Sequence, residues 1–183
     1  MWYFKVPKPN MPEYAYHQII WSYFADQYPS QRRFFVYRVC NHDIMVLSQH
    51  KPNTACRWVH RDLYAGRVYQ FDLICSPVRS LARCPDNPNF RMKVPYESND
   101  ERKKWLQRRL GDSAELVFSQ VFDMTDLVIK SPKNRKPIRW AQCEIKGSLL
   151  VKDKMEFTSI LCRGVGGRGA WGHGLLHIPE VMS

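Results

Sequence analysis

Apolar and polar positions in the first 76 residues follow the spacings of strands and helices. His17, Ile20, Trp21 and Phe24 stand at i, i+3, i+4 and i+7, which is typical of one face of a helix. Runs rich in aromatic and β-branched residues follow this segment and predict strands. The predicted order is a strand at 2–8, a helix at 13–24, strands at 34–40 and 44–49, a short helix at 53–60 and a strand at 67–75. This βαββαβ order is the ferredoxin-like pattern, and it predicts a first domain over residues 1–76.

The remaining residues, 77–183, predict a second domain. Three prolines predict that residues 82–96 are irregular. Ser98 and Glu101 have the spacing of a capping box, which predicts the start of a helix over 98–110. The further predicted elements are strands at 115–122, 125–129 and 141–151, a helix at 154–163 and a short strand at 175–178. Two similar βαββαβ halves are compatible with this order.

The charge balance narrows the partners that the chain can have. Lys and Arg number 28 against 17 Asp and Glu, which gives a net charge of +11. A compact protein this basic usually binds a polyanion, either nucleic acid or an anionic membrane surface. No apolar run approaches the roughly 18 residues of a membrane span, and a Lys and a Pro interrupt the N-terminal apolar stretch. Six cysteines without a C-x-x-C pair predict free, mostly buried thiols. We therefore expect a cytoplasmic protein with no membrane partner.

Two segments concentrate the positive charge. The predicted helix over 98–110 carries five cations, and its only acids are Asp100 and Glu101 at its start. The segment 130–139 carries five cations and no acid, and it predicts a basic loop or hairpin tip. A solvated surface would explain either segment, but the surplus of cations favours a polyanion partner. The residues expected to contact phosphates are Arg102, Lys103, Lys104, Arg108, Arg109, Lys133, Arg135, Lys136 and Arg139.

His17 is the candidate for chemistry, and Tyr14 stands three residues before it on the same predicted helix. An imidazole exchanges protons near neutral pH, and a tyrosine can position or protonate a phosphate oxygen. The pair would suffice to cleave RNA through a ribose 2′-OH. A histidine on an aromatic helix face is also a common core residue, so both interpretations stay open at this point. Asp123 and Asp126 are the nearest approach to grouped carboxylates, so neither a metal site nor a cofactor is predicted.

Seven segments in a fixed order give the chain a family resemblance. They are YAYHQIIW at 14–21, RRFFVYR at 32–38, VLSQHKP at 46–52, GRVYQFDLICSPV at 66–78, WLQRRLG at 105–111, CEIKGSLLVKD at 143–153 and GVGGRGAWGHGLL at 164–176. Together they resemble the CasE-type CRISPR repeat endoribonucleases of type I-E systems, which belong to the RAMP superfamily. The resemblance covers nearly the whole chain.

The resemblance implies a fold and a function. The fold class is α+β, with two tandem ferredoxin-like (RAMP/RRM-like) domains built on antiparallel sheets. Such proteins bind the hairpin of each CRISPR repeat and cut the precursor crRNA at the 3′ base of the stem. They need no metal, leave a 2′,3′-cyclic phosphate and a 5′-hydroxyl, and stay on the crRNA as a subunit of the Cascade complex beside its backbone subunit.

The resemblance also assigns residues. It gives the catalytic roles to His17 and Tyr14, and it places the segment 98–110 along the RNA stem. The glycine-rich segment often carries a Lys in this family where this chain has Gly169, so Arg168 is the nearest candidate for a phosphate contact. Two alternatives remain: a non-catalytic subunit that binds structured RNA, and an unrelated basic RNA-binding module in which His17 belongs to the core.

Overall fold

A computed structural model describes residues 1–12, 15–24, 34–84, 87–129, 138–166 and 172–182. Tyr14, the segment 130–137 and Arg168 lie outside these ranges. The described residues form two four-stranded antiparallel sheets and one two-stranded hairpin, with helices packed on the sheets. This is the α+β architecture with antiparallel sheets that the sequence predicts.

The first sheet contains four strands, and a short helix follows the first of them. The elements are β1 (Trp2–Pro7), α1 (Tyr16–Ser22), β2 (Phe35–Val39), β3 (Asp43–Ser48) and β4 (Arg57–Trp58), followed by a 3-10 helix (Val59–Asp62). The strand order is β2-β3-β1-β4, which is the order of a ferredoxin-like sheet. The predicted hairpin is confirmed, because β2 and β3 pair from Phe35↔Ser48 to Val39↔Ile44.

The alternation of side chains along the strands gives the first sheet two buried faces. Phe4 and Val6 of β1 belong to a core with Ile20 of α1, whereas Tyr3 and Val36 belong to the other core. The sheet therefore lies between α1 on one face and the second half of the chain on the other.

The second sheet repeats the same order with one insertion. Its elements are β5 (Val68–Cys75), a hairpin of β6 (Val78–Cys84) and β7 (Asn87–Pro95), α2 (Asn99–Leu110), β8 (Ala114–Ile129), β9 (Ile138–Val151), α3 (Lys154–Arg163), β10 (Leu176–His177) and a final helix α4 (Pro179–Met182). The strand order is β10-β5-β9-β8. Without the inserted hairpin, the elements form a second complete βαββαβ unit, so the expectation of tandem ferredoxin-like units is confirmed.

The assignment of one predicted strand was wrong. The sequence placed the strand at 67–75 in the first unit, but β5 pairs with β9 from Val68↔Leu150 to Cys75↔Cys143 and with β10. The first unit instead ends its sheet with the two-residue strand β4, and no α-helix occupies residues 53–60. The domain boundary at residue 76 stays a prediction, because strand pairing alone does not delimit a folding unit.

Two other local predictions were wrong. The described residues of 82–96 are not irregular, because β6 and β7 pair antiparallel from Val78↔Pro95 onward with bulges that interrupt the register. Pro95 and Pro88 lie in this two-stranded hairpin, where each strand has an edge that needs no ladder hydrogen bond. The two strands predicted at 115–122 and 125–129 are one continuous strand, β8, whose bulges mimic a break in the alternation.

The cores and the helices agree with the apolar pattern. Trp105, Leu106 and Leu110 of α2 are buried, as their spacing predicts. None of the helices in the described ranges is long and apolar enough to cross a membrane.

Candidate functional site

His17 lies on α1, and its side chain is half-buried at the border of the core. Its neighbours Tyr16 and Ile20 are buried, and Trp21 packs edge-on against Phe35 of β2 with ring centroids 5.4 Å apart. These apolar anchors hold the helix on the sheet while the imidazole stays outside the core. Among the described residues, no hydrogen bond or ion pair engages His17. The catalytic roles of His17 and of its predicted partner Tyr14 stay predictions.

The basic helix α2 begins with the predicted capping box. The Ser98 hydroxyl accepts a hydrogen bond from the Glu101 backbone N–H at 3.2 Å, and the Glu101 carboxylate accepts one from the Ser98 backbone N–H. The Ser98 hydroxyl also donates to the Glu101 carboxylate at 3.1 Å, and this bond, followed by the one from the Ser98 backbone N–H, lowers the pKa of Glu101 from its ordinary value. The capping box fixes the start of the helix. At the other end, the two last-turn arginines, Arg108 and Arg109, are exposed.

Arg102 differs from the other cations of α2 because protein groups surround its guanidinium. The side chain is 14% exposed and forms an ion pair with Asp123 of β8. It also donates to the Tyr96 carbonyl at 3.0 Å and to Asn99 Oδ1 at 3.2 Å. Arg102 thus ties α2 to β8, and its predicted contact with RNA is untested.

Arg108 and Arg109 line an open cavity of about 480 Å³ between α2 and the β6–β7 hairpin. Arg79 of β6 lines the opposite wall. Arg108 donates to the Tyr96 hydroxyl at 3.1 Å, and the Arg109 guanidinium lies 5.8 Å from the Trp105 ring centroid. We call the cavity lined by Arg79, Arg108 and Arg109 the arginine groove. Three guanidinium groups around an open cavity match the chemistry of phosphate oxygens, and phosphate binding there stays a prediction.

The described part of the glycine-rich segment packs between the first sheet and α2. Gly164 has φ +77°, and a Cβ there would lie 2.7 Å from Cγ1 of Val36. Gly166 has φ +96°, and a Cβ there would lie 3.2 Å from the Trp105 ring. Only glycine combines these backbone conformations with such close approach. The segment therefore reaches the helix that lines the arginine groove.

The remaining predicted residues divide into three groups. Lys103 is half-buried and Lys104 is exposed on α2, and Arg139 is exposed at the start of β9. Lys133, Arg135, Lys136 and Arg168 lie outside the described residues. No hydrogen bond or ion pair within the described ranges joins His17 to the arginine groove, so the structure brings together the cations of α2 but leaves the link to His17 a prediction.

Sequence reasoning missed two parts of this site. Arg79 precedes the stretch predicted to be irregular and Tyr96 ends it, and the hairpin places both at the groove. The prolines of this stretch favoured a loop over a hairpin. In the described residues, no three His, Cys, Asp or Glu side chains are grouped as a metal site would need.

Solved structures share this fold over almost the full length of both chains. Cas6e from Escherichia coli K-12 is 20% identical, with a TM-score of 0.79 over 97% of this chain and 98% of that chain. The CRISPR endoribonuclease Cse3 bound to a 19-nucleotide RNA is 21% identical, with a TM-score of 0.81 over 97% and 99%. Thermus thermophilus Cse3, bound to an RNA representing a pre-cleavage complex, is 21% identical, with a TM-score of 0.76 over 97% and 98%.

No curated protein sequence shows significant similarity to the chain. The sequence profile described as CRISPR associated protein matches residues 8–179, which include α1, the arginine groove and the strands from β2 to β10. Because the match spans nearly all of the sequence and the fold is that of Cas6e and Cse3, the chain belongs to the CRISPR associated protein family.

Proposed function

We propose that this protein binds CRISPR repeat hairpins and cuts precursor crRNA at the 3′ base of the stem. The observation that carries the proposal is the arginine groove, in which Arg79, Arg108 and Arg109 surround an open cavity in the fold of an RNA-bound endoribonuclease. Guanidinium groups bind phosphate oxygens with two parallel hydrogen bonds, and an open groove admits a nucleic-acid backbone.

The chemistry proposed is transesterification at one phosphodiester. The ribose 2′-oxygen upstream of the cut attacks the adjacent phosphorus and gives up its proton to a base. The bond from phosphorus to the 5′-oxygen breaks, and that oxygen takes a proton from an acid. The products are a 2′,3′-cyclic phosphate and a 5′-hydroxyl, and the balance needs neither water nor a metal ion.

His17 is assigned one of these two proton transfers because its imidazole lies on α1 outside the core. Tyr14 is assigned the orientation of the 2′-hydroxyl or assistance with the second proton transfer. The cations of α2, the segment 130–139 and Arg168 would hold the RNA backbone. Holding the attacking and leaving oxygens in line supplies much of the rate in such reactions.

The cleaved hairpin is proposed to stay on the protein as part of a Cascade assembly. A chain of a CRISPR RNA-guided surveillance complex has this fold with a TM-score of 0.75 and 15% identity, covering 97% of this chain and 98% of that chain. A subunit that retains its product needs high affinity for the RNA phosphates rather than fast release, and the cations of the arginine groove are suited to provide it. The partners proposed are therefore the crRNA and the neighbouring Cascade backbone subunit.

Incubation of repeat RNA with the protein in excess EDTA tests the proposal. We expect a single cut at the 3′ base of the stem. The new 3′ end should carry a cyclic phosphate, which phosphatase does not remove, whereas it removes a linear phosphate. RNA with a 2′-deoxy nucleotide before the cut should bind and stay intact. Binding without cleavage of the unmodified RNA would instead identify a non-catalytic RNA-binding subunit, and cutting that requires Mg²⁺ with folded RNA would overturn the mechanism.

A further inference from the structure

A row of aromatic and cationic side chains lies at the β4 edge of the first sheet, among residues that the proposed function does not use. Trp2 and Trp58 face each other across the β1–β4 pair with ring centroids 4.6 Å apart. Trp58 is 36% exposed, whereas so large an apolar side chain is usually buried. We call these two residues, with His60, Tyr64, Lys51 and Lys154, the aromatic row.

The row consists of two groups of contacting side chains. The Lys51 ammonium lies 5.5 Å from the Trp2 ring centroid, at one end. His60 lies next to Trp58, with ring centroids 6.4 Å apart. At the other end, the Lys154 ammonium lies 5.6 Å from the Tyr64 ring, and Tyr64 is 53% exposed. Three rings therefore follow one another, and a lysine lies over a ring at each end of the row.

The row spans both halves of the molecule. Trp2 and Trp58 belong to the first sheet, whereas Lys154 begins α3 in the second unit. His60 Nδ1 lies 3.4 Å from the Thr158 hydroxyl of α3, which joins the two parts. Burial, followed by the charges of Lys154 and the N-terminus, lowers the pKa of His60. The imidazole is therefore neutral at neutral pH, like the rings beside it.

The charge around the row is positive. Arg57 and Arg61 flank Trp58 and His60 in sequence, and both are exposed. Asp62 is held by Arg57 at 3.0 Å, so that carboxylate is already paired. Asp153 accepts hydrogen bonds from the first backbone N–H groups of α3. Arg57 is engaged by its pair with Asp62, so the positive charge that can attract a polyanion comes from Lys51, Arg61 and Lys154.

We infer that the aromatic row is a stacking site for single-stranded RNA. Exposed rings bind unpaired bases through their faces, and the cations at the two ends of the row can bind the backbone phosphates on either side. A duplex offers no free base face, so the row is suited to a single strand, whereas the arginine groove with its phosphate-binding side chains is suited to a stem. That the strand flanks a repeat hairpin rests on the proposed function, but the stacking site itself does not.

Binding of fluorescein-labelled oligouridylate, ten nucleotides long, tests the stacking site directly by anisotropy. Trp58→Ala and Tyr64→Ala should each weaken binding by about 5- to 150-fold, which corresponds to the loss of one stacked base. Trp58→Phe keeps a ring and should restore most of the affinity. The matched control is Phe122→Ala, because Phe122 is 45% exposed with the Lys146 ammonium 5.7 Å from its ring but lies on β8, outside the row.

A second measurement connects the row to the transcript. The parent protein should bind a repeat hairpin with a ten-nucleotide single-stranded extension more tightly than the bare hairpin, and Tyr64→Ala should lose this advantage while cutting the bare hairpin at the parent rate. Oligouridylate affinities of Trp58→Ala and Tyr64→Ala equal to that of the parent, or an equal loss in Phe122→Ala, would overturn the inference and leave a protein partner as the occupant of the row. A parent that binds oligouridylate through the row but leaves repeat RNA uncut would overturn the proposed function alone.

Discussion

His17 is half-buried on a helix that its neighbours anchor to the first sheet, so its removal should leave the fold intact. We expect His17→Ala to slow single-turnover cleavage of repeat RNA by about 10²- to 10⁴-fold, because the scissile phosphate loses a proton-transfer partner. Hairpin affinity should change little, since the proposal assigns it to the cations of the arginine groove. Affinity is measured on RNA with a 2′-deoxy nucleotide before the cut, so that binding and chemistry are separated.

The control for this variant is Tyr14→Phe, which removes one hydroxyl and should slow cleavage less. Cleavage by His17→Ala at the parent rate would show that His17 serves packing alone. His17→Gln, which keeps the polar shape of the side chain without its proton exchange, repeats the test if the alanine variant folds poorly.

Gly147 of β9 fits against the bulge of β8 because it has no side chain. A Cβ at this position would overlap the Phe118 carbonyl and lie 2.8 Å from Ser119 Cα, and backbone atoms cannot rotate away. We expect Gly147→Ala to lower the free energy of unfolding by about 1–3 kcal/mol through overpacking. Urea denaturation measures the loss. Lys146→Ala, one residue earlier and exposed, should stay close to the parent; a Gly147→Ala protein of parent stability would show that the bulge relaxes freely.

Single residues were predictable where their role depends on local sequence. The capping of α2 by Ser98 and Glu101 follows from their spacing, and the burial of Trp105 follows from the helical pattern. Arg102 shows the limit of such reasoning. Its position in a run of cations predicts a phosphate contact. In the fold it forms an ion pair with Asp123, which is 21 residues away in sequence and becomes a neighbour only through folding.

At the scale of elements, the cations of α2 differ in their surroundings: Arg108 and Arg109 are exposed to solvent, whereas Arg102 contacts protein groups. Replacing Arg108 and Arg109 together by Gln should flatten the dependence of log affinity on log salt by about two units, one for each phosphate that the protein no longer neutralises. Hairpin binding at several salt concentrations gives this slope. Arg102→Gln should instead lower the melting temperature, because it breaks the tie to β8. An unchanged slope in the double variant would show that the exposed face of α2 points away from the RNA.

The capping box makes a separate prediction for the same helix. Ser98→Ala should lower the free energy of unfolding by about 1 kcal/mol, because the Ser98 hydroxyl no longer accepts from the Glu101 backbone N–H at the helix start. The folded-state pKa of Glu101 is lowered, so the stabilisation by its carboxylate exists above the unfolded-state pKa and disappears as the pH falls through the folded-state value. The gap between parent and variant in thermal melts should therefore narrow in acid. A gap of constant size from neutral to acidic pH would contradict this account of the cap.

Elements were predictable where their pattern is complete within one segment. The hairpin of β2 and β3, the helix α3 and the strand β5 all follow from local periodicity. The partners of β5 did not follow, because its residues pair with those of β9, far along the chain, and periodicity carries no information on pairing between distant strands. The inserted hairpin of β6 and β7 was hidden by its prolines, which a two-stranded ribbon tolerates at its edges.

At the scale of the whole molecule, a cluster of charges joins the two sheets. Arg38 of β2 forms ion pairs with Asp72 of β5 and with Glu144 of β9, the latter at 3.1 Å. His177 of β10 donates from Nδ1 to Asp72 Oδ2 at 2.8 Å. These side chains are 13–20% exposed. No sequence pattern indicated the cluster, since its members come from four strands in two sheets.

The cluster predicts how the stability of the molecule depends on pH. Burial and the positive charges of Arg38 and Lys5 lower the pKa of His177 to about 4, although Asp72 accepts its hydrogen bond, because Arg38 already balances that carboxylate. The ordinary histidine value is 6.5, so the unfolded chain takes up the proton first as the pH falls. The stabilisation is thus present above about pH 6.5 and is lost progressively toward pH 4.

Replacing His177 by Gln tests this dependence, because the amide still donates to Asp72 but does not titrate. Between pH 6.5 and about 4 the melting temperature of the parent should fall more steeply than that of His177→Gln. The exposed His42, in the turn between β2 and β3, provides the matched control, and His42→Gln should follow the parent curve. Parallel curves for the parent and His177→Gln would mean that the junction between the sheets does not sense the charge of this imidazole. A steeper fall in the parent and in His42→Gln than in His177→Gln would show that protonation at one strand end weakens the contact that joins the two ferredoxin-like units.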